Sequence, residues 1–193
     1  VEWRMKSYFE KMLMEEELNY QLNLFFNPES PERYTDVSKI KKQKFEIQDN
    51  LRIKRKLNKI ENENIFNEEE IEEILNNDNK IILLSDAGSG KTEECKYIVN
   101  KLNTYKDNFA FYNKLNIYCG ESIEQLIPEE YNGVDKENLI FILDGFDEIA
   151  IEYRRKFIIN LESFCNKNRG TKVILTSRSN FYNSKNNSQG GTI

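Results

Sequence analysis

The sequence contains no histidine, and this absence limits the chemistry that the chain can perform. Histidine is the side chain that most readily changes charge near neutral pH. Without it, acid–base catalysis is left to carboxylates, to lysine, or to water held by a metal ion. A zinc site would need an unusual ligand set, because Cys95, Cys119 and Cys165 never form a CxxC pair. We therefore expect no zinc, and free thiols buried in a reducing compartment.

Long apolar runs and a positive net charge are also missing. No apolar stretch approaches the ~20 residues that a membrane-spanning helix needs, and no basic-then-apolar signal peptide is present. We therefore expect a soluble, cytoplasmic protein with no membrane partner. The formal net charge of −5 argues against general nucleic-acid binding, which needs a positive excess or a concentrated basic face. A local basic patch is still compatible with this charge.

The N-terminal segment precedes the region where the chemistry lies. Apolar residues at helical spacing predict a helix over residues 1–26, which Pro28 and Pro31 end. Residues 1–30 are thus predicted to be an N-terminal helix or connector.

Residues 31–65 are predicted to be a charged linker. Lysine and arginine are concentrated over residues 39–59, and glutamate follows over residues 61–73. Alternating apolar residues over residues 45–53 are compatible with a short hairpin. The basic and acidic blocks could neutralise each other, or the basic block could contact nucleic acid. We consider contact with nucleic acid the less favoured alternative.

The region over residues 66–182 has the pattern of an α/β domain. Its four apolar runs are Ile81–Leu84, Phe109–Tyr112, Leu139–Leu143 and Val173–Leu175. Three of these runs show no polar alternation, so both faces of those strands should be covered, as in a parallel sheet sandwiched by helices. Helical patterns accompany the strands at residues 66–75, 95–102, 122–127 and 157–165. The polar residues 183–193 are predicted to be a mobile tail.

A glycine-containing string after the first of these strands fits the phosphate-binding pattern G-x-x-x-x-G-K-[ST]. The string consists of Ser85, Asp86, Ala87, Gly88, Ser89, Gly90, Lys91 and Thr92. The glycines let backbone N–H groups point at phosphate oxygens. Lys91 supplies a charge for the β- and γ-phosphates, and the Thr92 hydroxyl can ligate Mg²⁺. Ser85 replaces the leading glycine of the pattern, a departure that could reduce the affinity.

A second string follows the third apolar run, where residues 144–148 read Asp-Gly-Phe-Asp-Glu. A carboxylate at the C-terminal end of a buried strand suits Mg²⁺ opposite Thr92. Asp144 is therefore predicted to hold Mg²⁺ through a coordinated water. Glu148 is predicted to be the base that activates the attacking water, and Asp147 a second metal or water-network residue.

Three strings together resemble a known family. Residues 144–148 resemble the extended Walker B motif of NACHT-type NTPases, which belong to the STAND branch of P-loop ATPases. Residues 87–92, Ala-Gly-Ser-Gly-Lys-Thr, resemble the P-loop of that family, and residues 173–178 resemble its sensor 1, a strand that ends in Thr-Ser-Arg. The resemblance implies that Arg178 approaches the γ-phosphate, where a cation can distinguish ATP from ADP. It also implies that the sensor strand lies between the other two motif strands, so that all three motifs open onto one crevice.

The resemblance implies the function of a switch. The module would bind ATP, hydrolyse it slowly and control self-association. It would belong to a multidomain signalling or innate-immune protein, such as a bacterial antiphage system. ATP with Mg²⁺ would favour assembly, and ADP would favour the closed monomer. The effector domain and the helical, winged-helix and sensor domains of such a protein would lie outside this chain, which we expect to be truncated before them. Two alternatives are a nucleotide-binding scaffold without turnover and an ATPase that depends on nucleic acid.

Overall fold

The computed structural model describes residues 2–5, 39–47, 56–59, 65–67 and 71–179. Within these ranges the chain forms seven strands and three α-helices, connected by loops and short 3-10 turns. The strands are β1 (Glu2–Met5), β2 (Lys56–Lys59), β3 (Ile65–Asn67), β4 (Lys80–Ser85), β5 (Phe109–Lys114), β6 (Leu139–Asp144) and β7 (Lys172–Arg178). The helices are α1 (Ile71–Asn77), α2 (Lys91–Leu102) and α3 (Ile151–Lys167).

All seven strands belong to one sheet with the order β3-β2-β1-β4-β7-β6-β5. The four strands β4, β7, β6 and β5 are parallel to one another, which confirms the predicted α/β fold with a parallel sheet and helices. Strand β7 lies between β4 and β6, as the resemblance implied for its three motif strands. Because the strands are parallel, the C-terminal ends of β4, β6 and β7 meet at one edge of the sheet.

The N-terminal part of the sheet corrects two predictions. Residues Glu2–Met5 form a strand that pairs with β2 and β4, so the predicted helix over residues 1–26 is wrong at these residues. The predicted linker supplies β2, which pairs antiparallel with β3. The predicted hairpin over residues 45–53 is wrong at Phe45 and Ile47, which belong to no strand. The remaining residues of these segments, and the predicted tail, lie outside the described residues.

The two faces of the sheet are covered by different helices. On one face, α1 and α2 pack against alternate strand residues, among them Ile140, Ile142 and Ile174. On the other face, α3 packs against the intervening residues, such as Phe141 and Leu175. Because strand side chains alternate between faces, this double burial explains why the apolar runs show no polar alternation.

The cysteines are distributed differently from the sequence prediction. Cys95 and Cys165 are buried, as expected, whereas Cys119 is exposed, and all three are free thiols. Burial raises the pKa of the Cys165 thiol. Over the described part of the chain, no helix combines the length and the hydropathy that crossing a bilayer requires.

Candidate functional site

The loop between β4 and α2 has the conformation that its two glycines permit. Gly88 has a φ of 73° and Gly90 a φ of 79°, both in the left-handed region that other residues rarely adopt. Gly90 immediately precedes α2, which begins at Lys91. The first N–H groups of a helix have no partner within the helix and form its positive end. The loop and the start of α2 can therefore accept an anion.

Two side chains hold this loop in shape. Ser85 is fully buried, and its Oγ lies 2.8 Å from the Oγ of Ser89 across the loop. The Lys91 Nζ donates long hydrogen bonds to the carbonyl oxygens of Ser85 and Asp86, at 3.4 and 3.3 Å. Bonds of this length are weak, so the ammonium group can exchange them for phosphate oxygens.

Asp144 is the centre of a cluster of hydroxyl groups. The Oδ2 atom of Asp144 accepts a hydrogen bond from Thr92 Oγ1 at 2.7 Å, and its Oδ1 atom accepts one from Thr176 Oγ1 at 2.6 Å. Thr176 Oγ1 also accepts a bond from the Gly145 N–H at 2.9 Å. Asp144 is 4% exposed as a residue, and a buried carboxylate of this kind requires such donors. The contact with Thr92 joins the phosphate loop to the acidic strand end.

A third hydroxyl reaches the same carboxylate from the edge strand β5. Tyr112 donates a hydrogen bond to Asp144 Oδ2 at 3.0 Å. Burial raises the pKa of the Tyr112 phenol well above its ordinary value, the negative charge of Asp144 raises it further, and a hydrogen bond with Thr92 opposes these effects. The phenol therefore stays protonated at neutral pH and acts as a donor.

The turn after β6 places two further carboxylates at this edge of the sheet. Gly145 has a φ of 87°, and a Cβ atom added there would lie 3.2 Å from the Glu148 carboxyl carbon. Phe146 and Ile149, which flank the two acids, are buried and anchor the turn. Glycine at position 145 thus lets the chain turn sharply and bring Glu148 close to the end of β6.

Arg178, at the end of β7, contacts both of these acids. Its Nε atom lies 3.0 Å from Asp147 Oδ2, and its backbone N–H donates to Asp147 Oδ1 at 3.1 Å. The Nη2 atom of Arg178 lies 3.9 Å from Glu148 Oε1. Both carboxylate oxygens of Asp147 are thus engaged by Arg178.

A second arginine fixes the backbone of the same turn. Arg154 Nη2 donates to the carbonyl oxygen of Asp147 at 2.7 Å, and its Nε donates to that of Ile149 at 2.9 Å. These carbonyls lie on either side of Glu148. Arg154 therefore restrains the backbone that carries the predicted base.

The donor set of the cluster fits a hard divalent cation. Thr92 and Asp144 offer only oxygen atoms, which Mg²⁺ prefers, and Asp144 supplies negative charge. No group of three or more cysteine, aspartate or glutamate side chains in the described ranges could hold a metal ion. A Mg²⁺ ion would consequently need phosphate and water oxygens as well, which is its usual manner of binding in nucleotide sites.

The structure brings the predicted site residues to one edge of the sheet. Lys91 and Thr92 open α2, and Asp144 and Arg178 end neighbouring strands. The prediction missed Tyr112 and Thr176 as partners of Asp144. The alternation along the strands could have indicated both residues. Tyr112 follows Ala110 by two positions and Thr176 follows Ile174 by two, so each is a polar residue on the strand face that α2 covers.

Comparison with known families agrees with this geometry. A family model described as Novel STAND NTPase 3 matches residues 63–190, which is about two thirds of the chain. The match confirms the predicted STAND class, whereas the NACHT subdivision stays a prediction. No curated protein matches the chain.

Proposed function

Because the chain belongs to the novel STAND NTPase 3 family, we propose that it binds ATP together with Mg²⁺ and hydrolyses the nucleotide slowly. The family supports a nucleotide-binding module. The choice of ATP, of Mg²⁺ and of a switching role comes from the resemblance of the three strings to NACHT-type proteins.

The observation that carries the proposal is the 2.7 Å hydrogen bond between Thr92 and Asp144. It joins the start of α2, which can accept phosphate, to Asp144. Asp144 ends β6 and is the buried acid of residues 144–148. In the proposed complex, Thr92 and Asp144 would hold Mg²⁺, and Lys91 would contact the β- and γ-phosphates. The metal would neutralise charge that develops on the phosphates.

The proposed hydrolysis assigns separate roles to the acids of the turn. Glu148 would orient the attacking water and accept its proton, since its carboxylate lies near the end of β6 but outside the hydroxyl cluster. Arg178 would leave its acidic partners for the γ-phosphate, where a fixed cation distinguishes ATP from ADP. Both carboxylate oxygens of Asp147 contact Arg178. Asp147 would therefore regulate the movement of Arg178 towards the γ-phosphate.

A second candidate function is nucleotide binding without turnover. The contacts of Arg178 with Asp147 and Glu148 favour it, because an arginine that stays on these carboxylates leaves the γ-phosphate without that cation. In that case the chain would bind nucleotide without hydrolysing it.

Nucleotide binding is tested by titrating the chain with a fluorescent ATP analogue in Mg²⁺. We expect Lys91→Ala to weaken binding at least about 10-fold, because it removes a charge-assisted contact with phosphate. Lys101→Ala, at the other end of α2, is the matched control and should bind as the wild type does. Equal affinity in the wild type and Lys91→Ala would refute a phosphate site at this loop.

Hydrolysis is tested by single-turnover measurements on the wild type and Glu148→Gln, with protein in excess over ATP. We expect the substitution to slow hydrolysis by about 100-fold or more and to leave ATP affinity nearly unchanged. Equal and negligible rates in both proteins would contradict turnover and favour the second candidate.

We propose further that the nucleotide controls self-association within a larger cytoplasmic protein that signals in innate immunity, as in bacterial antiphage defence. This part rests on the resemblance to NACHT-type switches. Light scattering of the full-length protein with ATP or ADP tests it, with larger assemblies expected only in ATP. Identical masses in the two nucleotides would oppose this role.

A further inference from the structure

Residues 39–47, which we call the edge segment, belong to no strand and contact the outermost strand β5. The N–H of Tyr112 in β5 donates to Gln43 Oε1 at 2.7 Å, and the N–H of Gln43 donates to the Tyr131 hydroxyl at 2.7 Å. Lys42 Nζ lies 4.7 Å from the centre of the Phe109 ring. Such a covering protects an edge strand that would otherwise present unpaired backbone groups.

The same segment is fastened to α2, the helix that begins at Lys91. The side chain of Asn100 bonds both the N–H and the carbonyl oxygen of Phe45, each at 2.8 Å. Asn103 donates to the carbonyl oxygen of Gln43 at 2.9 Å and also bonds both backbone groups of Ala110 in β5. The edge segment therefore bridges the helix that carries Thr92 and the strand that carries Tyr112.

Tyr112 extends this bridge into the hydroxyl cluster. Its ring packs edge-on against Phe45, with the ring centres 5.9 Å apart. Its hydroxyl is the donor to Asp144 Oδ2, the same oxygen that Thr92 contacts. Tyr112 is thus held by the edge segment at its backbone and at its ring, while its hydroxyl orients the carboxylate.

We propose that Tyr112 is a positioning residue that orients Asp144 for the metal ion and couples the nucleotide site to docking of the edge segment. The inference rests on the proposed function and goes beyond it, because the edge segment lies outside residues 63–190 that the family model matches. Second-layer partners of metal-binding carboxylates commonly determine metal affinity. Coupling between two sites is reciprocal, so bound Mg²⁺ and nucleotide must also stabilise the docked edge segment.

The first test measures affinity for a fluorescent ATP analogue in Mg²⁺ and in EDTA, using the 193-residue chain. In Tyr112→Phe we expect the gain in affinity due to Mg²⁺ to fall about 10-fold, while affinity in EDTA is unchanged. Tyr118→Phe is the matched control, since the Tyr118 hydroxyl is also hydrogen-bonded, to the carbonyl oxygen of Glu121 at 2.8 Å, but outside the cluster. It should keep the full gain.

The second test asks whether Tyr112 acts through Asp144. In an Asp144→Asn background, Tyr112→Phe should change the gain from Mg²⁺ by less than about 2-fold. An undiminished effect in that background would mean that Tyr112 acts independently of the carboxylate, which would overturn its role as a positioning residue.

The third test follows the edge segment itself by limited digestion with trypsin, which cleaves after the exposed residues Lys41 and Lys44. Saturating Mg²⁺ and ATP analogue should slow these cleavages at least about 3-fold in the wild type. In Phe45→Ala and Tyr112→Phe the nucleotide should give little protection. Because this readout depends on the segment and not on turnover, it separates coupling from catalysis.

The outcomes distinguish the two proposals. If the wild type binds no nucleotide, the proposed function fails and this inference fails with it. If the wild type binds nucleotide, but Tyr112→Phe keeps the full gain from Mg²⁺ or cleavage of the edge segment ignores the nucleotide, the inference alone is overturned.

Discussion

Arg178 binds Asp147 twice, through its side chain at 3.0 Å and through its own backbone N–H at 3.1 Å. The Asp147 side chain is 8% exposed and that of Arg178 44%, so the pair joins a mostly covered carboxylate to a cation that reaches solvent. An arginine in this position can bind a carboxylate or a phosphate with the same fork of N–H groups. The geometry therefore suits a cation that changes partner when a γ-phosphate is present.

This exchange predicts a selective effect on ATP. Arg178→Ala should weaken ATP binding by about 10-fold and ADP binding by less than about 2-fold, because only ATP offers the γ-phosphate. Calorimetric titration with both nucleotides measures the effect. Arg169→Ala, which removes an exposed arginine before the other end of β7, is the control and should alter neither affinity. An equal loss for ATP and ADP would contradict a contact with the γ-phosphate.

Arg154 allows a prediction about the turn that carries Glu148. Arg154→Met should slow single-turnover hydrolysis by about 10-fold and leave ATP affinity nearly unchanged, because it frees the carbonyls of Asp147 and Ile149 without touching the phosphate loop. Arg155→Met, on the adjacent helix position, is the control. A parallel loss of affinity and rate would show that Arg154 supports the whole site and not the position of the base.

Gly145 and Gly88 provide a comparison between two left-handed glycines. Alanine at either position meets the backbone cost of about 1–2 kcal/mol for the left-handed region. A Cβ atom at Gly145 would also meet the Glu148 carboxyl group at 3.2 Å, whereas one at Gly88 would meet nothing within 4 Å. Gly145→Ala should therefore lower the free energy of unfolding in urea more than Gly88→Ala does. Equal losses would mean that Glu148 moves aside at no cost.

The parallel core could be predicted from the sequence because its physical cause is local. Strands that are buried on both faces need apolar residues at successive positions. Residues Ile81–Leu84 are all apolar and all buried, so this requirement is visible in the sequence itself. The phosphate loop is equally local, since its glycines and Lys91 are consecutive. These features required no knowledge of the strand order.

The contacts that were missed depend on partners far apart in the chain. Asn100 bonds Phe45 across 55 residues, and Tyr112 reaches Asp144 across 32. Alternation along β5 can mark Tyr112 as a polar residue on a covered face, but local spacing identifies neither partner. The first pair depends on the position of the edge segment, and the second depends on β5 lying beside β6. The N-terminal strand was mistaken for a helix for the same reason, since its pairing with β2 and β4 overrides the helical spacing of its residues.

Tyr112 predicts how stability depends on alkaline pH. Its pKa is raised in the folded chain, so its contribution to stability is complete below the ordinary tyrosine pKa of about 10 and is lost as the pH rises towards the folded-state value. The free energy of unfolding should fall less steeply above about pH 10 in Tyr112→Phe than in the wild type. Urea unfolding at several pH values measures the slopes. Identical slopes would mean that the phenol ionises equally in both states.

Ser85 is the residue that departs from the phosphate-binding pattern, and the structure predicts the effect of restoring glycine there. Ser85 is buried and bonded to Ser89 at 2.8 Å, so Ser85→Gly removes a hydrogen bond inside the loop and adds backbone freedom at the end of β4. It should destabilise the chain by about 1 kcal/mol and should not tighten nucleotide binding. Ser85→Ala, which removes the hydroxyl alone, separates the two contributions. A several-fold gain in affinity in Ser85→Gly would instead identify Ser85 as an impairment of the phosphate loop.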